Sequence, residues 1–167
     1  MTWDLQATLE SLREHRKPGP APPYQCAKYV NRALRDGGVH LPQVDARYPG
    51  DGPSACDYGS SLEDVGFEVV YDNTNEDSKC RAYHPLPGDI VIFMPIEAEA
   101  RNGLTISLHK HGHIQMYDGH SKSWISDFKQ AGFFPGRDYG IKWGRFRAYR
   151  FTDMMCKRSS LKVDFSR

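Results

Sequence analysis

A run of prolines near the N-terminus sets the first limit on the fold. Residues 18–23 read Pro-Gly-Pro-Ala-Pro-Pro. Proline fixes φ and removes a hydrogen-bond donor, so this run forms neither a helix nor the interior of a sheet. Before it, Leu5, Leu9 and Leu12 recur at the spacing of one helical face. We predict a short amphipathic helix followed by a stiff surface connector. The connector is not a domain boundary, because the piece of chain before it is too small to fold alone.

The clearest helix signal follows the connector. Cys26, Val30, Ala33 and Leu34 are spaced to share one apolar face, and the glycines after Asp36 end the helix. The helix therefore begins close to Cys26. Unpaired N–H groups and the macrodipole favour an anion at the first turn of a helix, and thiolate is the reactive form of cysteine. Cys26 is thus a candidate nucleophile, although an inert buried cysteine fits the same pattern.

Strand signals dominate the rest of the chain. A Leu-Pro-Gly-Asp turn ends at Asp89, and residues 90–93 after it predict a strand buried on both faces. Residues 42–61 predict a long irregular loop, and a single helical turn is predicted at 62–65. The other predicted strands are 67–71, 113–117, 124–128 and 145–151. Helices first and strands afterwards predict an α+β fold with an antiparallel sheet.

Composition narrows the function classes. The chain has 167 residues, enough for one domain, and a net charge of +1, which argues against a dedicated nucleic-acid binder. The longest apolar run is far too short to span a membrane. Residues 1–16 carry acids and lack a continuous apolar core, so no secretory signal peptide is expected. Residues 137–167 hold nine Lys or Arg against three Asp, which predicts a basic face for an anionic partner or a solvated tail.

His113 is the second candidate catalytic residue. If strands 113–117 and 123–127 pair through a loop of residues 118–122, the register places His113 opposite Asp127. Asp127 would then fix the imidazole tautomer as the third member of a triad, whereas a tighter turn would put it out of reach. In thiol hydrolases the base lies beside the nucleophile in space and not in sequence, so the distance along the chain from Cys26 is allowed.

Three sequence blocks resemble one known superfamily. They are Gln25-Cys26-Ala27-Lys28-Tyr29-Val30, then Leu86-Pro87-Gly88-Asp89-Ile90-Val91-Ile92-Phe93, then Gly112-His113-Ile114-Gln115-Met116-Tyr117. In order and spacing they are similar to the blocks of CHAP amidohydrolases and peptidases and of the wider NlpC-type papain-like superfamily. The resemblance implies a single domain over residues 1–167, with helices packed on an antiparallel sheet.

The resemblance also implies roles for particular residues. Cys26 would be the nucleophile and His113 the general base, while the third polar residue maps to Asp127. Strand alternation sends the neighbouring Ser126 to the other face. Gln25 is expected to help the Cys26 N–H hold an oxyanion. The implied reaction is acyl transfer from a peptidoglycan amide, either in the stem peptide or between sugar and stem, with no cofactor and no metal.

In its compact size and its expected lack of a signal peptide, the chain resembles amidase effectors of the type VI secretion system. The expectation is a monomer made in the bacterial cytoplasm and exported to act in a target-cell periplasm. A cognate immunity protein is the expected partner, and neither nucleic acid nor a membrane span is expected. A phage lysin of the same chemistry and a non-catalytic CHAP-like binding module remain alternatives.

Two other patterns carry competing interpretations. His109, His111 and His113 occupy alternate positions, which would suit a zinc site if the segment is extended. A metal site leaves Cys26 unexplained, so His109 and His111 are expected to be rim residues of the cleft or merely exposed. The remaining cysteines allow at most one disulfide, Cys56–Cys80 or a pair involving Cys156, and free thiols fit equally. The aromatic residues that would line a groove or pack in the core are Tyr24, Tyr29, Trp124 and Trp143.

Overall fold

The computed structural model describes residues 2–20, 25–47, 52–74, 83–99, 105–141 and 144–152. Its helices are α1 (Leu5–His15), α2 (Cys26–Asp36), α3 (Gly59–Asp64) and α4 (Arg137–Ile141), with a 3-10 turn at Ala55–Asp57. Its strands are β1 (Phe67–Asp72), β2 (Ile90–Phe93), β3 (Ile96–Glu99), β4 (Thr105–His109), β5 (His113–Asp118), β6 (Ser123–Ile125) and β7 (Phe146–Phe151).

Five strands form one antiparallel sheet in the order β1-β7-β2-β5-β6, and β3 pairs with β4 as a separate hairpin. The central strand β2 is buried along its whole length, as predicted for a strand covered on both faces. Helices and a main apolar core cover one face of the sheet, and a second, aromatic-rich cluster covers the other. The predicted α+β class with N-terminal helices on an antiparallel sheet is confirmed.

Helix α2 packs its predicted apolar face into the main core. Val30, Ala33 and Leu34 are buried there, together with Ile92 of β2 and Ile114 of β5. The helix ends at Gly37, whose N–H donates to the carbonyl of Ala33. The burial of this face sets the orientation of α2 on the sheet, and with it the position of Cys26, the first residue of the helix.

The Leu-Pro-Gly-Asp block before β2 has a structural role. Gly88 has a φ of +86°, and a Cβ there would lie 2.6 Å from the side chain of Leu5 in α1. Asp89 is fully buried and accepts two hydrogen bonds of 2.8 Å from the Arg150 guanidinium, which joins β2 to β7. The block therefore seats α1 against the sheet and anchors its central strand.

The predicted strand 124–128 is wrong in its extent, and the predicted pairing is wrong by one residue. Strand β6 ends at Ile125, and Asp118 of β5 pairs with Ser123. The Asp118 carboxylate accepts hydrogen bonds from the His120 N–H and the Ser121 hydroxyl. These bonds close the turn over four residues, 119–122, where the prediction had five.

Some elements were not predicted at all. The β3–β4 hairpin and helix α4 lie in segments whose polar sequence showed no clear period. The region 42–61, predicted as an irregular loop, contains the 3-10 turn and the start of α3. Other predictions fall on residues that the structure does not describe: Tyr24, Cys80, Trp143, Cys156 and most of the basic segment.

Among the described residues, no helix is long and apolar enough to cross a membrane. Two of the four cysteines lie in the described part of the chain, Cys26 and Cys56, and both are free thiols.

Candidate active site

Cys26 is the first residue of α2. The backbone N–H groups in the first turn of a helix have no partner within the helix and therefore favour a nearby negative charge. The Cys26 sulfur lies near its own N–H and those of Ala27 and Ile114, and all three favour the thiolate. Burial acts in the opposite direction and outweighs them, with a further contribution from the charge of Asp127. The net result raises the pKa of the Cys26 thiol to about 11.

His113 opens β5 and pairs across the sheet with Phe93, the last residue of β2. The preceding Gly112 has a φ of +64°, and a Cβ there would collide with the Phe93 carbonyl oxygen. Glycine is therefore required to bring the chain into β5 at this point. The imidazole is buried, which lowers the pKa of His113 to about 4, although the Asp127 carboxylate opposes that change.

The predicted catalytic residues lie in one cleft. Cys26, His113 and Asp127 all line a cavity of about 1310 Å³, between the start of α2, the start of β5 and the chain after β6. The thiol lies against the N–H of Ile114, which is the neighbour of His113. The thiol and the imidazole therefore line the same cleft, at the edge of the main core.

Asp127 reaches the cleft by a bend of the chain and not by strand register. Its side chain is 1% exposed. One carboxylate oxygen, Oδ2, accepts a hydrogen bond of 3.1 Å from the Gln25 N–H. The same oxygen forms an ion pair with the Lys17 ammonium at 3.2 Å. The other oxygen accepts a hydrogen bond from Ser126. Ser126 is buried in this cluster, so the prediction that it faces the other way is wrong, because β6 has already ended.

The residue in hydrogen-bond contact with the imidazole is Gln130. Its amide Nε2 lies 2.8 Å from His113 Nε2. Sequence reasoning missed this residue. The only available signal was a polar side chain a few residues after a predicted strand, which many loop residues share. Its position depends on a turn at 126–129, in which Ile125 bridges to Lys129.

The three alternating histidines point to different partners. His109 contacts the Asp138 carboxylate at 3.3 Å, His111 contacts the Ser54 hydroxyl at 2.8 Å, and His113 contacts Gln130. Within the described residues, no group of three or more His, Cys, Asp or Glu side chains is placed to hold a metal ion. His109 and His111 both line the cleft.

Two helices on an antiparallel sheet, with a cysteine at the start of the second helix and a histidine at the start of an interior strand, define a papain-like α+β fold. The chain is similar to a protein in the crystal structure of the type VI native effector-immunity complex Tae3-Tai3 from Ralstonia pickettii. The two are 29% identical, with 90% of this chain and 100% of that chain covered and a TM-score of 0.65. The sequence matches no protein-family model and no curated protein.

Proposed function

We propose that the chain is a cysteine amidohydrolase of the CHAP and NlpC type that cleaves an amide bond in bacterial peptidoglycan. The observation that carries the proposal is the meeting of Cys26 and His113 in one cleft, one at the start of α2 and the other at the start of β5. The likeness to Tae3-Tai3, an effector-immunity complex of a type VI system, supports an antibacterial role.

In the proposed reaction, His113 takes the proton of the Cys26 thiol as the sulfur attacks the carbonyl carbon of the amide. The tetrahedral oxyanion accepts hydrogen bonds from backbone N–H groups at the start of α2. The imidazolium then gives its proton to the leaving amine, and the C–N bond breaks. Water, deprotonated by His113, hydrolyses the thioester and regenerates the thiol.

The resting state of this pair is neutral. With the Cys26 pKa at about 11 and the His113 pKa at about 4, the thiol is protonated and the imidazole uncharged near pH 7. Proton transfer is therefore part of the attack step, and no ion pair is formed beforehand. Asp127 is the acidic residue of the proposed site: its charge favours the imidazolium as it forms, and its carboxylate holds the residue before the nucleophile.

An effector of this kind would act in the periplasm of a target cell, and its producer would need an immunity protein. The crystal structure of Tae3-Tai3 contains such a partner. This likeness favours the effector over the phage lysin and over the non-catalytic binding module. We therefore propose export from the producing cell and inhibition by a protein that covers the cleft.

The test is digestion of purified peptidoglycan sacculi, with the soluble muropeptides identified by mass spectrometry. We expect the wild-type chain to release new amine termini, and Cys26→Ala to lower the rate at least ~10³-fold, because the nucleophile is lost. Cys56→Ser is the matched control, since Cys56 is a second half-buried thiol with a pKa of about 11. Equal release by wild type and Cys26→Ala would exclude the thiol mechanism.

A further inference from the structure

One face of α2 is basic and lines the cleft beside the nucleophile. Lys28, Arg32 and Arg35 follow one another at i, i+4 and i+7, so their side chains leave the helix within about 60° of each other. All three residues are exposed, and all three line the same cleft as Cys26. At about 1.5 Å of rise per residue, this basic face begins roughly 3 Å along the helix from Cys26 and ends roughly 14 Å from it.

The basic face has little acidic charge of its own to neutralise it. Asp36 is the acidic residue of α2, and its carboxylate already accepts a hydrogen bond of 2.6 Å from the Ser11 hydroxyl. Arg32 contacts the same carboxylate at 3.8 Å. Among the described residues, neither Lys28 nor Arg35 has an ion-pair partner. Two cations of the cleft wall therefore lack a counter-charge in that part of the protein.

The other acidic side chains of the cleft are held by different groups. Asp127 forms an ion pair with Lys17, and Asp138 contacts His109 at 3.3 Å. A concave site lined by charges of one sign raises the local concentration of ligands of the opposite sign. An anion bound along α2 would therefore meet cations whose charge the protein has not already neutralised.

The chemistry that matches this face is a peptide with carboxylates spaced along it. Lys28 and Arg35 are about 10 Å apart along the helix axis, which an extended peptide spans with about three residues. Ammonium and guanidinium groups make charge-assisted hydrogen bonds to a carboxylate, whereas a carboxamide carries no charge for them to bind. The basic face therefore distinguishes a free carboxylate from its amide.

We propose that the basic face of α2 is a subsite for free carboxylates of the substrate, on one side of the scissile amide, and that it selects against substrates in which those carboxylates are amidated. Because the face begins beside Cys26 in the same cleft, its ligand is the chain that carries the scissile bond. The inference rests on the proposed function for the identity of that chain as a peptidoglycan stem peptide, whereas carboxylate binding requires no cleavage.

The test uses a stem tetrapeptide with free carboxylates and the same tetrapeptide with those carboxylates converted to carboxamides. Calorimetry measures the Kd of each for Cys26→Ala, which cannot consume the ligand by the thiol mechanism. The test variant adds Lys28→Gln and Arg35→Gln. The matched control adds Lys122→Gln and Lys129→Gln instead, which remove the same charge at exposed residues outside the cleft lining.

We expect Cys26→Ala and the control to bind the free-carboxylate peptide ~3–10-fold more tightly than its amide, as two exposed charge pairs would give. The test variant should bind the two peptides equally. Added salt should weaken the preference, because it screens exposed charges. With Cys26 restored, muropeptide release should show the same preference in kcat/KM.

Equal affinity for the two peptides, or no measurable binding of either, would overturn the proposal. So would an equal loss of preference in the test variant and the control, since that would reflect net charge alone. A preference that survives in the test variant would also overturn it and would point to an acidic partner protein as the ligand of this face.

The proposed function fails separately from this inference. If the wild type releases no muropeptide but binds the free-carboxylate peptide with the expected preference, the subsite stands and the amidase activity does not. If the wild type cleaves free and amidated substrates equally well, the amidase activity stands and the subsite is overturned.

Discussion

Burial has a larger effect on Cys26 than the helix N-terminus has. The N–H groups of Cys26, Ala27 and Ile114 all favour the thiolate, yet the pKa of the thiol is raised to about 11 because the sulfur is desolvated and Asp127 adds a negative charge. The sequence position alone had predicted an anion-favouring site. In the proposed mechanism, activation of the Cys26 thiol is therefore assigned to His113 and not to the helix N-terminus alone.

The first prediction concerns alkylation of this thiol in the absence of substrate. We expect the rate of Cys26 modification by iodoacetamide to rise about tenfold per pH unit from neutral pH and to level off near pH 11, following the thiolate fraction. Mass spectrometry of the separate peptides measures it, and Cys56, whose pKa is also about 11, is the internal reference. A rate that is flat between about pH 5 and 8 would show a preformed thiolate–imidazolium pair.

At the scale of elements, the buried Asp127 contacts Lys17 after α1 and Gln25 before α2. Besides the side-chain contacts of Asp127 with Lys17 and Gln25, the Lys17 N–H donates to the Asp127 carbonyl at 2.6 Å. The side chain of Lys17 is 19% exposed, whereas that of Asp127 is 1% exposed. Loss of the lysine should therefore cost more stability than loss of the aspartate, because an unpaired Lys17 can be hydrated more easily than an unpaired Asp127.

This asymmetry gives the second prediction. We expect Lys17→Met to lower the free energy of unfolding by about 2–3 kcal/mol, because it leaves Asp127 buried without its counter-ion. Asp127→Asn should cost less, about 1–2 kcal/mol, because the amide oxygen still accepts the Gln25 N–H. The double variant should be close to Asp127→Asn alone. Urea titration measures the cycle, and additive losses would contradict the coupling.

Periodic features of the elements could be predicted from the sequence. Helix α2 is predicted by the spacing of its apolar residues and by the glycines that end it, and β2 by a continuous apolar run. The start of β5 is marked by Gly112, because only glycine fits the tight entry into that strand. Each of these is a local property, so a single stretch of sequence contains enough information. Cys26 and His113 became candidates because they lie at the ends of such elements.

The partner of the imidazole could not be predicted in this way. The register of β5 and β6 depends on hydrogen bonds that Asp118 makes inside the turn, and these shift the pairing by one residue from the predicted one. Strand β6 then ends early, so alternation no longer describes Ser126 and Asp127. Gln130 reaches His113 only after the chain has turned back on itself, which no spacing rule reports.

At the scale of the whole molecule, two buried titratable groups respond to acid over different pH ranges. Asp118 is fully buried and binds the Arg13 guanidinium through both oxygens, which ties α1 to the end of β5 and holds the pKa of Asp118 well below its ordinary value. His113 has a pKa of about 4, below the ordinary value near 6.5. Of these two groups, His113 is therefore the one that begins to lower the stability at the higher pH as the solution is acidified.

The sign of the effect follows from proton binding. Between about pH 6.5 and 4 the unfolded chain binds a proton at His113 and the folded chain does not, so the free energy of unfolding falls as the pH is lowered through this range. Below about pH 4 both states bind it and the contribution of His113 stays constant. The full change is up to about 3 kcal/mol. Asp118 keeps its charge in the folded state throughout this range, so its loss comes at lower pH.

We therefore expect His113→Gln to flatten the acid dependence of stability. Urea titrations at pH 7, 6, 5 and 4 should show the wild type losing up to about 3 kcal/mol more than the variant over this interval, whatever their stabilities at pH 7. His40→Gln is the matched control, because it makes the same substitution at an exposed histidine. Parallel slopes for wild type and His113→Gln would mean that the imidazole takes a proton in the folded protein, in conflict with its burial beside Gln130.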